Sequence, residues 1–203
     1  VYQMEVPCNT TIFKSMKAQG KLTAPIADWP TKRKWVTQAY EKLEAAGYSI
    51  TSAYTAVKDP QNTKFVYRDR LWSGADMLAL GVSSFGHLGG IHYQNLTHFD
   101  QYCDAQERFS NTVRRALLTT DDERFLREFI LQWKLGRVSP RYFQSKFGVD
   151  IRQRFKDILE KWKEAGDLLE KEGELLLTRD ALLRIDSMLH DFFLPQHQNA
   201  KYV

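Results

Sequence analysis

The stretch best suited to chemistry is Gly81-Val82-Ser83-Ser84-Phe85-Gly86-His87-Leu88-Gly89-Gly90, which directly follows an apolar run. Four glycines and two serines let the backbone approach a ligand closely and leave its amides free to donate. The Walker pattern is absent, because no Gly-Lys-Ser/Thr follows, and so is the Gly-x-Gly-x-x-Gly spacing of dinucleotide folds. The pattern fits either a cofactor-facing loop or a structural turn. Just downstream, His92, Gln94 and Asn95 add polar groups. His87, His92 and His98 lie five and six residues apart, matching neither a helical i, i+4 pair nor alternate strand positions, so no metal site is expected. Upstream, Arg68 and Arg70 flank Asp69 beside Trp72. That group reads as a surface ion-pair cluster or as a receptor for an anion, since a carboxylate fits the arginine fork. No nucleophile elbow and no Cys–His spacing point to covalent catalysis.

The elements that must position these residues read as two parts. A strand is expected over Val1 to Val6, ended by Pro7. A helix from Thr31 carries Trp35, Val36, Ala39, Tyr40 and Leu43 at helical spacing and closes at Gly47. Tyr48 to Val57 reads as a strand, residues 59–62 as a turn, and Asp76 to Val82 as a strand buried on both faces, which together predict a parallel α/β sheet. Beyond about Thr97 strand signals nearly vanish. Thr120 and Glu123 form a capping box before Phe125, Leu126, Phe129, Ile130 and Trp133, and the helix stops at Gly136. Pro140 opens a short helix and Asp150 caps another through Ile151, Phe155, Ile158, Leu159 and Trp162. A hairpin turns at Glu172-Gly173, and a last helix runs from Thr178 to Pro195. This order resembles a winged-helix domain. The expected division is 1–106, 107–195 and a frayed tail 196–203.

The 203 residues carry a formal net charge of +4, too mild for a chain-wide nucleic-acid-binding character. The charge is uneven: net +2 over 1–106, +6 over 107–163 and −4 over 164–203. The middle block leaves one nucleic-acid reading, a winged helix presenting Arg152, Arg154, Lys156, Lys161 and Lys163, although acidic residues share that helix. No apolar run approaches the ~20 residues of a membrane span. The two cysteines, Cys8 and Cys103, exclude a four-thiolate site built by this chain alone, and a reducing cytoplasm is the plainer expectation.

One resemblance gathers these features. Gly74 through Phe85, then Gly89-Gly90-Ile91-His92-Tyr93-Gln94-Asn95, is similar to the oxygen-independent coproporphyrinogen III oxidase family of radical S-adenosylmethionine enzymes. Phe129 through Gly136, Phe147 through Asp150, Leu177 through Leu183 and Phe192 through Pro195 resemble that family's C-terminal domain. The resemblance implies a fold of the α/β class: the last β/α units of a partial (β/α) barrel, followed by a mostly helical, winged-helix-like domain. It implies S-adenosylmethionine and a [4Fe–4S] cluster in the full-length protein, a 5′-deoxyadenosyl radical, and a tetrapyrrole substrate whose propionates become vinyl groups. The family's Cys-x-x-x-Cys-x-x-Cys motif is missing here. The chain, which starts without Met, is therefore expected to be a C-terminal portion that binds no cluster alone and is partnered by the missing N-terminal half. By correspondence, Gly81, Val82, Ser83, Ser84 and Phe85 line the cofactor pocket, and Arg68, Arg70, Trp72, Asp76, Gln94 and Asn95 are assigned to substrate. The oxidase has Ser-Ala-Ile where Ser83-Ser84-Phe85 stands, and Gln-Gly-Asp-Thr-Asp where Trp72-Ser73-Gly74-Ala75-Asp76 stands. Those departures bear on a second S-adenosylmethionine and keep a haem chaperone, a methyltransferase and a haem-modifying enzyme as alternatives.

Overall fold

A computed structural model describes residues 1–3, 6, 10–20 and 27–196. Its contacts divide the chain into two compact units: Val1–Lys64 with Trp133–Val203, and Phe65–Gln132. The expected division after residue 106 falls inside the second unit.

The first unit opens with α1 (Thr11–Ala18), capped by Thr10, and α2 (Trp29–Ala45). Asp28 caps α2 by accepting from the Thr31 amide at 2.8 Å, and Pro30 sits in the first turn, where a missing N–H costs nothing. The helix begins two residues before Thr31 for that reason. Its Val36 and Tyr40 pack with Leu183, flanked by Leu43, Ile50 and Ala56. Tyr40 is fully buried, donates to the Ala53 carbonyl at 3.2 Å, and has its phenol pushed up to about 12 by burial. The single strand expected over 48–57 is instead an antiparallel hairpin, β1 (Ser49–Ser52) and β2 (Thr55–Val57). The polar Ser52-Ala53-Tyr54 step turns the chain back. The strand expected over Val1–Val6 lies partly outside the described residues, and Val1–Gln3 form none.

The second unit comprises α3 (Val66–Trp72), β3 (Phe85–Leu88), β4 (Ile91–Asn95), α4 (Phe99–Glu107), β5 (Val113–Leu118) and α5 (Asp121–Trp133), whose last residue belongs to the first unit. The sheet order is β3-β4-β5, and both pairings are antiparallel. The parallel sheet expected from sequence is thus not what these strands form. Gly89 and Gly90, at φ 57° and 79°, make a two-residue turn of the kind that closes antiparallel hairpins. The strand expected over Asp76–Val82 reduces to one antiparallel bridge, Met77 to His87. Its Leu78 and Leu80 are 66% and 77% exposed, so the run lies at a sheet edge rather than between layers. The capping box at the start of α5 forms as expected: Glu123 accepts from the Thr120 amide at 2.9 Å, and Thr120 accepts from the Glu123 amide at 3.2 Å.

The first unit resumes with β6 (Arg137–Val138), α6 (Pro140–Phe147), α7 (Ile151–Arg154), α8 (Lys156–Glu164), β7 (Leu168–Lys171), β8 (Glu174–Leu177), α9 (Arg179–Leu183) and α10 (Ile185–Met188), then a 3-10 turn at Leu189–Phe192. The small antiparallel sheet runs β6-β8-β7, with Glu172 and Gly173 both at positive φ in the β7–β8 turn. The helix expected through Trp162 breaks at Phe155, whose ring packs edge-on against Phe192 at 4.9 Å. Trp162 stands edge-on to both Trp133 and Phe192, and Trp133 stacks on Phe192. All four rings are buried. The expected last helix likewise breaks, at Arg184, whose guanidinium turns to the buried Asp167. No helix among the described residues is long and apolar enough to cross a membrane.

Candidate functional site

The loop from Ala79 to Phe85 is held from behind by β4 and α4. The Ala79 amide donates to the Tyr93 hydroxyl at 2.9 Å, and the Gly81 amide to the Tyr102 hydroxyl at 3.1 Å. Asn95 donates through Nδ2 to the Ala79 and Gly81 carbonyls, and Gln94 through Nε2 to that of Ser83. The Ser83 amide bonds the Leu96 carbonyl, and the Ser84 hydroxyl the Leu80 carbonyl at 2.6 Å. Ser83 itself sits at φ 61°, a backbone that costs a non-glycine residue and persists because these bonds hold it. The amides of Gly81 and Ser83, expected to be open to a ligand, are therefore engaged within the protein. What the loop exposes outward is the side chains of Ser83 and Phe85, with Val82 half-buried. Gly86 is required by its neighbour, since a Cβ there would fall 2.3 Å from the Tyr93 ring.

The sequence-derived substrate residues divide. Gln94 and Asn95 are buried and tie the loop, and Gln94 also accepts from the Arg115 Nε at 2.9 Å. Arg68 makes two bonds to Asp69 and lies over the rings of Phe65 and Trp72, while Arg70 is exposed. Asp76 accepts from the Gly89 amide at 3.1 Å, bracing the hairpin turn.

Beside the loop lies a cationic group that sequence reading missed. Register places His87 opposite His92, His92 opposite Leu117, and Gln94 opposite both Phe85 and Arg115, so all six side chains share one face. The imidazoles of His87 and His92 are 6.1 Å apart, and Phe85 stacks on His92 at 5.7 Å. Helix α5 brings Arg127 to this face. Both imidazoles are held below their ordinary value, first by burial and then by the Arg127 charge, with Arg115 adding to the effect on His92. Asp76 pulls His87 the other way. Arg127 is half-buried and makes no hydrogen bond or ion pair among the described residues. The His87 Nδ1 is also buried without a hydrogen-bond partner. The one signal available in sequence was the pair Arg124 and Arg127, one helical turn apart within an apolar helix. No group of three or more His, Cys, Asp or Glu among the described residues could hold a metal, so no cluster ligand is assigned to them.

No family model matches the chain. It is 25% identical over 134 residues to the oxygen-independent coproporphyrinogen III oxidase of Pseudomonas aeruginosa, covering 63% of this chain and 29% of that protein. It is 23% identical over 178 residues to the heme chaperone HemW of Bacillus subtilis, covering 85% of this chain and 45% of that protein. Among solved structures, coproporphyrinogen III oxidase (HemN) of Escherichia coli, a radical SAM enzyme, superposes with a TM-score of 0.66 at 18% identity. That match covers 90% of this chain and 45% of that one. The chain thus spans less than half the length of each relative. In sequence the chain is similar to part of an oxygen-independent coproporphyrinogen III oxidase and of a heme chaperone, and in mixed α/β fold to part of a coproporphyrinogen III oxidase.

Proposed function

We propose that this chain is the C-terminal portion of a cytoplasmic radical S-adenosylmethionine oxidoreductase of porphyrin and haem biosynthesis, which oxidatively decarboxylates porphyrinogen propionates. On this reading residues 1–106 continue a partial (β/α) barrel and 107–195 form a winged-helix-like domain. The observation that carries the reading is the superposition on the oxidase over 90% of the chain, joined to sequence likeness in two relatives. The α-β-α-α-α-β-β order of residues 121–177, with its antiparallel β6-β8-β7 sheet, supports the second part. The scarcity of cysteine and the absence of any Cys-x-x-Cys support a reducing compartment.

When bound, S-adenosylmethionine on a [4Fe–4S] cluster supplies a carbon radical able to remove hydrogen from an unactivated position. This chain's part is to offer Val82, Ser83 and Phe85 to that cofactor, with Gly81 and Ser84 holding the loop's shape. Arg68, Arg70, Trp72 and Asp76 remain the proposed substrate side, and Gln94 and Asn95 act through the loop they bind. The cluster's ligands are proposed to lie in the N-terminal half that partners this chain.

A second reading, a haem chaperone, is favoured by the longer alignment to HemW, 85% of this chain against 63%. Anaerobic turnover of the full-length protein with coproporphyrinogen III, S-adenosylmethionine and a reductant separates the two. The oxidase reading expects 5′-deoxyadenosine and vinyl products in step. Retained haem with no vinyl product overturns it in favour of the chaperone.

A further inference from the structure

We propose that Arg115 is a positioning residue for the cofactor-facing loop, acting through Gln94 on Ser83. The proposal rests on the reading of Gly81 to Phe85 as that loop and adds to it a residue from outside the glycine-rich segment. The strained point of the loop is Ser83, whose φ of 61° is a left-handed backbone that side chains rarely adopt. Its two flanking peptide groups are both held. The Ser83 amide donates to the Leu96 carbonyl at 2.8 Å, and the Ser83 carbonyl accepts from the Gln94 Nε2 at 3.2 Å. Gln94 is 8% exposed, and its Oε1 accepts from the Arg115 Nε at 2.9 Å.

A carboxamide has one donating end and one accepting end, whereas a guanidinium only donates. Turned over, Gln94 would set its amide hydrogens against Arg115 and its oxygen against the Ser83 carbonyl, and both bonds would be lost together. Arg115 therefore fixes which end of Gln94 meets the loop. Its charge also polarises the carboxamide and strengthens the donation to Ser83. The three parts lie along one rung of the sheet, because Gln94 of β4 stands opposite both Phe85 of β3 and Arg115 of β5. Arg115 is exposed, and its charge also acts on His92. A general field effect of that kind would reach the loop with or without Gln94. A relay needs Gln94 in place.

The test is a double-mutant cycle on the 203-residue chain, read by hydrogen exchange of the Ser83 amide. Arg115→Met and Gln94→Met are each expected to quicken exchange about tenfold, the effect of one lost hydrogen bond of this kind. The double variant is expected to exchange no faster than Gln94→Met, because the relay is already cut. Arg115→Lys, which keeps a donor, is expected to recover part of the protection, and Arg108→Gln, on an exposed arginine paired with Asp104, to keep all of it. In the full-length protein Arg115→Met is expected to raise the KM for S-adenosylmethionine about fivefold or more while kcat changes less than about twofold. Unchanged exchange in Arg115→Met, or effects of the two substitutions that simply add, overturns the relay. A full-length protein that binds no S-adenosylmethionine overturns the cofactor reading, whereas one whose KM is unmoved by Arg115→Met overturns the positioning role alone. If Gln94→Met does not fold, exchange in Arg115→Met still decides, and an unchanged rate there overturns the proposal.

Discussion

The two units share one use of arginine, pairing with carboxylates, and differ at one residue: in the second unit Arg68, Arg108 and Arg124 meet Asp69, Asp104 and Asp121, while Arg127 makes no ion pair among the described residues. In the first, the arginines of the C-terminal helices and hairpin meet carboxylates: Arg152 bonds Glu170 twice, Arg179 reaches Glu44, and Arg184 pairs with the buried Asp167. Lys161 and Lys163 likewise meet Asp191 and Glu170, and Lys156 meets Glu160. Of the five cations that a nucleic-acid reading would need, four are already occupied within the protein, and each would have to give up its carboxylate to a phosphate. In the second unit Arg127 is half-buried beside two depressed imidazoles, with Glu128 and Asp76 acting on its charge from nearby.

Substitutions test that contrast by size of effect. Trp133→Ala removes a fully buried ring from the cluster with Trp162 and Phe192 and is expected to cost about 3–5 kcal/mol, read by urea denaturation. Leu118→Ala, 74% exposed on β5, is expected to change stability by less than about 0.5 kcal/mol. Equal effects would break the comparison. Arg184→Met strands Asp167 in its buried position and is expected to cost about 1–3 kcal/mol. Arg127→Met takes a neighbouring positive charge from Asp76 and the buried Glu128 and is expected to cost about 1 kcal/mol in the same denaturation series. Loss of the Thr120 cap by Thr120→Ala is expected to cost about 1 kcal/mol, seen in the urea midpoint.

Acid provides a finer probe. The folded His87 and His92 sit below the ordinary imidazole value of 6.5, so the unfolded chain binds protons first as pH falls. Their contribution is fully present above about pH 6.5 and is lost as pH falls toward the folded values. The urea midpoint is expected to fall between pH 7.5 and 5.5, and His92→Gln to flatten that slope. An equally steep slope in the variant would place the acid sensitivity elsewhere.

What the sequence revealed follows locality. The capping box at Thr120, the Asp150 cap and the Glu172-Gly173 turn depend on residues a few positions apart, and each forms. The apolar run from Met77 to Leu80 misled, because an edge segment and a buried strand share one composition and differ only in what lies beside them. The glycine-rich loop was half understood: Gly89-Gly90 is a hairpin turn, while Gly81 to Ser84 is a braced loop whose amides face inward. The cationic face was invisible for a deeper reason. It needs β4 and β5 in register and an α5 arginine beside them, none of which is encoded by spacing along the chain.

The first unit is assembled from the two ends of the chain, with residues 65–132 inserted between them. Its Val36–Tyr40 face finds Leu183, and its Glu44 finds Arg179, across 135 positions of sequence. On a ribosome the early helix is therefore made well before its partner, by an interval on the order of ten seconds at ordinary elongation rates. During that interval the apolar side of α2 has only the β1–β2 hairpin against it and lacks Leu183, while the inserted segment already carries all its own strands. Within this stretch α2 is made early and completed late, which makes it the helix with most to gain from a chaperone.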